Sequence, residues 1–320
     1  MEFRHRSILL NESVEFLVTN PNGIYVDCTL GGAGHSSGFA AKLSADGHLI
    51  GLDQDGDAIA ASRERLTGKF PCKIDLVQVN FKDFPQTLDE LGIDGIDGIF
   101  FDLGVSSYQL DNAERGFSYM QNGPLDMRMN QNSSLTAAQV VNEYGEDKLR
   151  DVIWRYGEER WAKRIAEFIV AQRKEKKLTT TAELVEVIKK AIPKGARQDG
   201  PHPAKRTFQA IRIEVNNELG ILEDTIRNAV NRLISGGRIG VITFHSLEDR
   251  IVKQVLAELQ KGCTCPPHLP CVCGKKPVLQ KVGNIKPSAL EIEENPRARS
   301  ARLRFGIKIL GSMSCVVKGK

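Results

Sequence analysis

The sequence predicts an α/β fold, a mostly parallel sheet with helices on both faces, interrupted by a mostly helical insertion. Three observations carry this reading. Four short apolar runs recur within the first 102 residues, and three of them end on or beside an aspartate. Helical patterns separate these runs, the rhythm of parallel βαβ units. A Gly-rich turn, Gly31-Gly32-Ala33-Gly34-His35, joins the first run to the first of those helices.

The first strand is expected at 24–28, Ile-Tyr-Val-Asp-Cys, and a helix from Ser36 to Leu43 with Phe39 and Leu43 on one face. Residues 48–53 make a second strand, 57–66 a helix, 74–79 a third strand by their alternation, and 96–102 a fourth. From about 111 to 144 the chain turns polar and turn-rich, with Asn122-Gly123-Pro124. From 146 to 192 apolar residues fall at helical spacing. Leu149, Val152, Ile153 and Tyr156 make one stripe; Trp161, Ile165, Phe168 and Ile169 make another. Thr180 and Glu183 form a capping box ahead of Leu184, Val187 and Ile188. Pro193, Pro201 and Pro203 end that block, and a further helix spans 204–219. The α/β pattern resumes with a strand at 238–244 and a helix capped by Ser246 and Asp249. In the last strand Leu303, Phe305, Ile307 and Ile309 alternate with Arg302, Arg304, Gly306 and Lys308, giving one buried and one basic face. The stretch from about 262 to 295 and the last few residues, Val317 to Lys320, are the candidates for disorder. The expected division is a sheet domain in two pieces, 1–110 and 209–320, around a helical insertion, 111–208.

Composition narrows the function classes. The chain is 41% hydrophobic and 26% charged, a globular balance that excludes wholesale disorder. No apolar run approaches the ~18–20 residues of a bilayer span. Glu12 and Glu15 interrupt the place where a signal peptide needs an apolar stretch. A cytoplasmic protein with no membrane partner is expected. The net charge of +4 hides an asymmetry: residues 1–110 carry 8 Lys and Arg against 16 Asp and Glu, whereas 145–212 and 213–320 each carry 17 against 10. A basic lobe suits a polyanion, because Lys and Arg release counterions from phosphates. A salt-bridged helical surface is the plainer alternative.

Seven cysteines, an odd number without an export signal, argue against a disulfide framework. Cys28 reads as a small buried hydrophobe. Cys263, Cys265, Cys271 and Cys273 form a C-x-C…C-x-C cluster whose four thiolates suit a tetrahedral structural zinc, at a spacing tighter than the usual one. Free or redox-active thiols are the alternative.

A strand, a Gly-rich turn and a helix are the parts of a nucleotide-cofactor site. Asp53 lies 22 residues after Gly31, at the tip of the second strand, where a carboxylate accepts from ribose hydroxyls. Phe81, after the third strand, suits stacking on an adenine. Asp102 ends the fourth. Ligands of open parallel sheets lie outside the strands' carboxyl ends, so Asp27, Asp53 and Asp102 would converge on one cleft. The turn is not G-x-G-x-x-G, since the sixth residue from Gly32 is Ser37, and it is not a P-loop. It fits a dinucleotide, S-adenosylmethionine, or a tight turn with no ligand.

Longer strings narrow this further. They include Gly32-Ala33-Gly34-His35-Ser36, the run from Asp102 to Ser107, Gln109-Leu110-Asp111, and Glu114-Arg115-Gly116-Phe117-Ser118. Gly123 to Met129, Tyr156-Gly157-Glu158-Glu159-Arg160, and His202-Pro203-Ala204 with Arg206 to Ala210 follow. Phe244 to Arg250 and Glu294 to Ser300 complete them. Over nearly all of 1–305 the chain resembles the RsmH (MraW) family, S-adenosylmethionine-dependent methyltransferases of 16S ribosomal RNA.

The resemblance implies a Rossmann-like class I methyltransferase domain with an inserted helical domain. It implies methyl transfer from S-adenosyl-L-methionine to the N4 amine of a decoding-centre cytidine (1402 in standard numbering) of 16S rRNA, within the small ribosomal subunit. The cofactor contacts it implies are Ala33, Gly34, His35, Asp53, Phe81, Asp102 and Gln109. The chain has Asp102-Leu-Gly-Val where many amino-methyltransferases have Asp/Asn-Pro-Pro-Tyr, leaving Asp102 or nearby carbonyls to accept from the amine. Lys205, Gln209, Arg212 and Asn216 share one face of the 204–219 helix and are the expected RNA-facing residues. Two other readings compete: a dinucleotide dehydrogenase, and a non-enzymatic RNA-binding assembly factor on the same fold.

Overall fold

Alternation of side chains along each strand decides which residues reach which side of the sheet. The computed structural model describes residues 7–197, 201–263, 265–266, 270 and 272–310. In chain order run α1 (Leu10–Leu17), β1 (Ile24–Asp27), α2 (Gly34–Ala40), β2 (His48–Asp53), α3 (Gly56–Leu66), β3 (Lys73–Gln78), α4 (Phe84–Glu90) and β4 (Ile96–Asp102). Next come α5 (Ser107–Asp111), α6 (Ala137–Glu143), α7 (Glu146–Gly157), α8 (Ala162–Glu175), α9 (Thr181–Ala191), α10 (Lys205–Asn216) and α11 (Leu222–Arg232). The chain closes with β5 (Leu233–Thr243), α12 (Ser246–Lys261), β6 (Leu279–Ile285), α13 (Ala289–Glu294) and β7 (Arg302–Lys308).

The residues fall into two compact units. One holds the described residues up to Asp53, Asp57–Leu103 and those from Leu222 onward; the other holds Gln54–Gly56 and Gly104–Ile221. The expected insertion, 111–208, lies within the second unit, which reaches further at both ends.

In the first unit the seven strands lie in the order β3-β2-β1-β4-β5-β7-β6. β7 runs antiparallel to both its neighbours, and the remaining pairs are parallel. This is the mixed, mostly parallel α/β sheet that the sequence predicts. Ile99 and Phe101 pack with Phe84 and Leu88 of α4, Ile226 of α11 and Val252 of α12. Phe100, between them in sequence, packs on the other side with Leu17 of α1 and Phe39 of α2. Both faces are therefore covered, which is why these strands read as nearly continuous apolar runs.

Several expectations are corrected. The stretch 262–295 contains β6 and α13, and α6 and α11 form where no helix was expected. Val317 to Lys320 lie outside the described residues. α11 has the signal, since Leu222, Thr225, Ile226, Ala229 and Val230 are buried at helical spacing. The cap of α12 lies one residue earlier than expected. His245 is the N-cap, and Glu248 returns its carboxylate to the Phe244 and His245 amides (2.9 and 3.3 Å). Asp249 instead takes Arg304 in two bonds, 2.7 and 2.8 Å. The basic face of the last strand is thus internal: Arg304 is buried, and Lys308 donates to the carbonyls of Asn231 and Leu233.

The second unit packs α6 to α10 around Leu149, Ile153, Ile165, Ile169, Leu184, Ile188, Phe208 and Ile211. Its polar stretch before α6 is ordered by side chains bonding to backbone rather than by ladders. Arg115 donates to the carbonyls of Arg128 and Met129 (2.9 and 3.1 Å), and Asn216 bonds the Met127 carbonyl and Met129 amide (both 2.8 Å). Beneath this lies a buried ion pair, Arg115 to Asp55 at 2.8 Å, with Gln109 Nε2 donating to the same carboxylate oxygen at 2.7 Å. Removing one partner strands the other charge in the interior. Asp55→Ala is therefore expected to destabilise by about 3–5 kcal/mol, seen as a lower midpoint in urea unfolding.

Candidate functional site

β1 lies between β2 and β4, so Asp27, Asp53 and Asp102 stand at three adjacent strand ends. The chain leaving β1 stays bound to both neighbours: Cys28 N donates to Phe100 O (2.9 Å) and Leu30 N to Leu52 O (3.0 Å). It then turns sharply. Gly31 has φ 49° and Ala33 φ 56°, so a non-glycine residue takes the left-handed conformation here, at a cost of about 1–2 kcal/mol. Ala33 is fully buried, and its amide is bonded to Leu30 O at 2.7 Å. Side chains fix the turn from below. Asp53 Oδ2 accepts from Gly31 N (2.8 Å), Ser62 donates to Gly31 O (3.1 Å), and Arg65 donates to Gly32 O (2.8 Å). Gly32 has nothing within 4 Å of the position a Cβ would take, so the turn is open there.

Asp27 is only 1% exposed and accepts from Ser36 Oγ (2.6 Å) and Thr29 N (3.1 Å). Burial pushes its carboxyl up to about 6 despite those donors. Thr29 Oγ1 in turn accepts from Asp102 N at 2.5 Å. His35 is buried against Phe100, with ring centroids 4.7 Å apart. Its Nε2 donates to Ile8 O (3.0 Å), and its Nδ1 stands 3.5 Å from Asp102 Oδ2. With Nε2 committed as donor, Nδ1 of a neutral ring is an acceptor, so a proton between Nδ1 and Asp102 satisfies both.

Asp102 is the unusual group. Burial, then the charges of Asp27 and Glu248, push its carboxyl up to about 8. Its Oδ1 is buried and has no hydrogen-bond partner among the described residues. A buried oxygen beside two further carboxylates is best satisfied by a cationic or donating ligand. The residues present therefore fit a cofactor that brings positive charge.

Phe81 follows β3, half-buried, edge-on to Phe101 at 5.9 Å. The Asn80 side chain caps its short turn by accepting from Lys82 N (3.0 Å). Gln109 belongs to the second unit and has both ends of its amide engaged: Oε1 accepts from Ser106 N (3.0 Å), and Nε2 binds Asp55. The expected RNA face of α10 is also largely committed. Gln209 donates to Tyr156 O (3.0 Å), Arg212 pairs twice with Glu218 (2.8 and 2.9 Å), and Asn216 is the bond-maker described above. Only Lys205 of the four is exposed. The thiols of Cys263, Cys265 and Cys273 lie within 4.8 Å of one another, and Cys271 lies outside the described residues. Reading the sequence missed Thr29, Ser36 and Glu248 as parts of the strand-tip cluster. Thr29 and Ser36 had a signal, as hydroxyls two and nine residues beyond a strand-end acid; Glu248 had none apart from its cap.

A doubly wound sheet with a Gly-rich turn and acids at its carboxyl tips defines a nucleotide-cofactor domain. Residues 2–309 match the MraW methylase family, and the chain belongs to that family. It is 55% identical, over 97% of its own length and the whole of the relative, to ribosomal RNA small subunit methyltransferase H of Clostridioides difficile (strain 630). Among solved structures, a candidate rRNA methylase from Clostridium thermocellum covers 94% of this chain and 95% of its own at TM-score 0.44 and 12% identity. A candidate methyltransferase from Streptococcus mutans in complex with SAH covers 94% and 95% at TM-score 0.39 and 12% identity. Both are distant likenesses. Among the described residues, no helix is long and apolar enough to cross a membrane.

The raised Asp102 carboxyl has a stability signature. Its native value of about 8 exceeds the ordinary 3.8, so the folded state holds a proton that the unfolded state has lost. Its contribution is complete below about pH 4 and declines by up to about 1.4 kcal/mol per pH unit as pH rises towards 8. Asp102→Asn should therefore raise the melting temperature at pH 8–9 and change it little near pH 4, as read by calorimetry across pH.

Proposed function

We propose that this chain transfers a methyl group from S-adenosyl-L-methionine to the exocyclic N4 of a decoding-centre cytidine in 16S rRNA. The observation that carries the reading is the 55% identity along the full length of a small-subunit rRNA methyltransferase. The orphaned, acid-flanked Asp102 supports the cofactor assignment. S-adenosylmethionine supplies an electrophilic methyl on a cationic sulfonium. Ala33, Gly34 and His35 line its methionine end, Asp53 accepts from the ribose and Phe81 flanks the adenine. Asp102 accepts from a donor on the cofactor or from the target amine. The cytosine amine is a poor nucleophile, because its lone pair is conjugated into the ring; an aligned acceptor for its N–H is the help a protein can give. The base leaves its stack to reach the methyl group.

With Gln209 and Arg212 held internally, RNA phosphates fall to Lys205 and to the exposed cations of α7, α8 and the turn between them. Arg155, Arg160 and Arg164 have no carboxylate at ion-pairing distance among the described residues. Arg160 lies over Trp161 (5.4 Å), Arg164 lies over Phe168 (5.1 Å), and Trp154 is 58% exposed. Cations beside aromatic faces are the parts of a single-strand nucleic-acid surface. The substrate is the small ribosomal subunit or its RNA.

Deleting the gene should remove N4-methylcytidine from 16S rRNA by mass spectrometry. The wild type should restore it and Asp102→Ala should not; an unchanged modification pattern on deletion would refute the enzyme reading and favour an assembly factor. Cofactor affinity should rise as pH approaches 8, by up to about tenfold per unit, because a cation binds the ionised Asp102. Calorimetry should find that rise absent in Asp102→Asn. The double variant Arg155→Ala/Arg164→Ala should weaken rRNA binding and flatten its dependence on log salt by about one per lost phosphate contact.

A further inference from the structure

The segment 262–278 joins α12 to β6, and its two ends are clamped together. Gly262 N donates to Glu258 O (2.8 Å) and Val278 N to Leu259 O (2.9 Å). Gly262 has φ 70°, and a Cβ there would lie 2.4 Å from backbone atoms of Lys276 and Pro277. The outgoing chain thus lies directly on the incoming one. Among the described residues of the loop, Val272 is 90% exposed and Lys275 and Lys276 are solvated. Yet three thiols converge within it. The sulfurs of Cys263, Cys265 and Cys273 all lie within 4.8 Å of one another, and those of Cys263 and Cys273 are 3.7 Å apart.

Thiols gain little from one another, being weak donors and weak acceptors. The spacing has a specific meaning for a metal. Four sulfurs at about 2.3 Å from a tetrahedral zinc are separated by about 3.8 Å, which the Cys263–Cys273 distance matches. A disulfide needs about 2.05 Å. Val272 N donates to Cys265 Sγ at 3.4 Å, which fixes that sulfur's place in the loop. The two exposed lysines offset the negative charge that several thiolates carry to the metal.

We propose that Cys263, Cys265 and Cys273 bind a structural zinc ion that closes the loop 262–278 onto the end of α12. The three thiols leave one position of a tetrahedral ion for a further ligand. The site shares no residue with the strand-tip cluster, so it stands or falls apart from the methyltransferase reading. Its role is to hold the end of α12 against the start of β6.

The test is elemental analysis of the full chain, purified without a metal-affinity step. About one zinc per chain is expected. It should be released by a mercurial and lost in Cys263→Ser/Cys273→Ser, but kept in Cys72→Ser. Cobalt in its place should show thiolate charge-transfer and tetrahedral d–d bands, a readout independent of methyl transfer. Zinc-free wild type whose thiols react freely with iodoacetamide would overturn the proposal. So would an intact mass showing a Cys263–Cys273 disulfide.

Discussion

The governing constraint in this molecule is the gathering of buried and half-buried carboxylates at the carboxyl ends of parallel strands. Asp27, Asp102 and Glu248 come from β1, β4 and the start of α12, and no lysine or arginine is among the causes that set the Asp27 and Asp102 carboxyls. Each is held by a different device: a serine hydroxyl for Asp27, a backbone amide through Thr29 for the Asp102 main chain, and a helix cap for Glu248. The donors to Asp27 and Thr29 are thus neutral, while Glu248 also lies 3.0 Å from His245 Nε2 and Asp102 lies 3.5 Å from His35 Nδ1.

The helical unit has the opposite character. Its interior holds compensated pairs, Arg115 with Asp55 and Arg212 with Glu218, and its surface carries Arg160 over the Trp161 ring. Asp53 and Asp55 are two residues apart in sequence yet belong to different units. The first holds the glycine turn by its amide, and the second is fixed by a guanidinium.

The strands were legible because each is an apolar run bounded by a glycine or an acid, and the sheet buries both its faces. Thr180 with Glu183 formed the capping box that their spacing announced. What was not legible depended on partners distant in sequence. Arg304 looks like half of a solvent face until Asp249, 55 residues away, turns out to bind it. Arg212 and Gln209 have helical spacing suited to a ligand, but Glu218 and the Tyr156 carbonyl claim them first. Asp53 and Asp102 could be placed at strand tips from sequence. The proton balance between Asp102 and His35 could not, since it arises from Ile8 O fixing the ring. α11 was overlooked even though its burial pattern is regular, because it directly abuts a strand with no turn residue between them.

One border of the sheet ends on β6. Its pairing with β7 slips between Gln280 and Gly283, and Lys281 there takes φ 50°. A crimped, lysine-bearing margin cannot template the backbone of a stranger. Resistance to fibrillar self-association is therefore built into this margin, and straightening it would create an adhesive flank where none now exists.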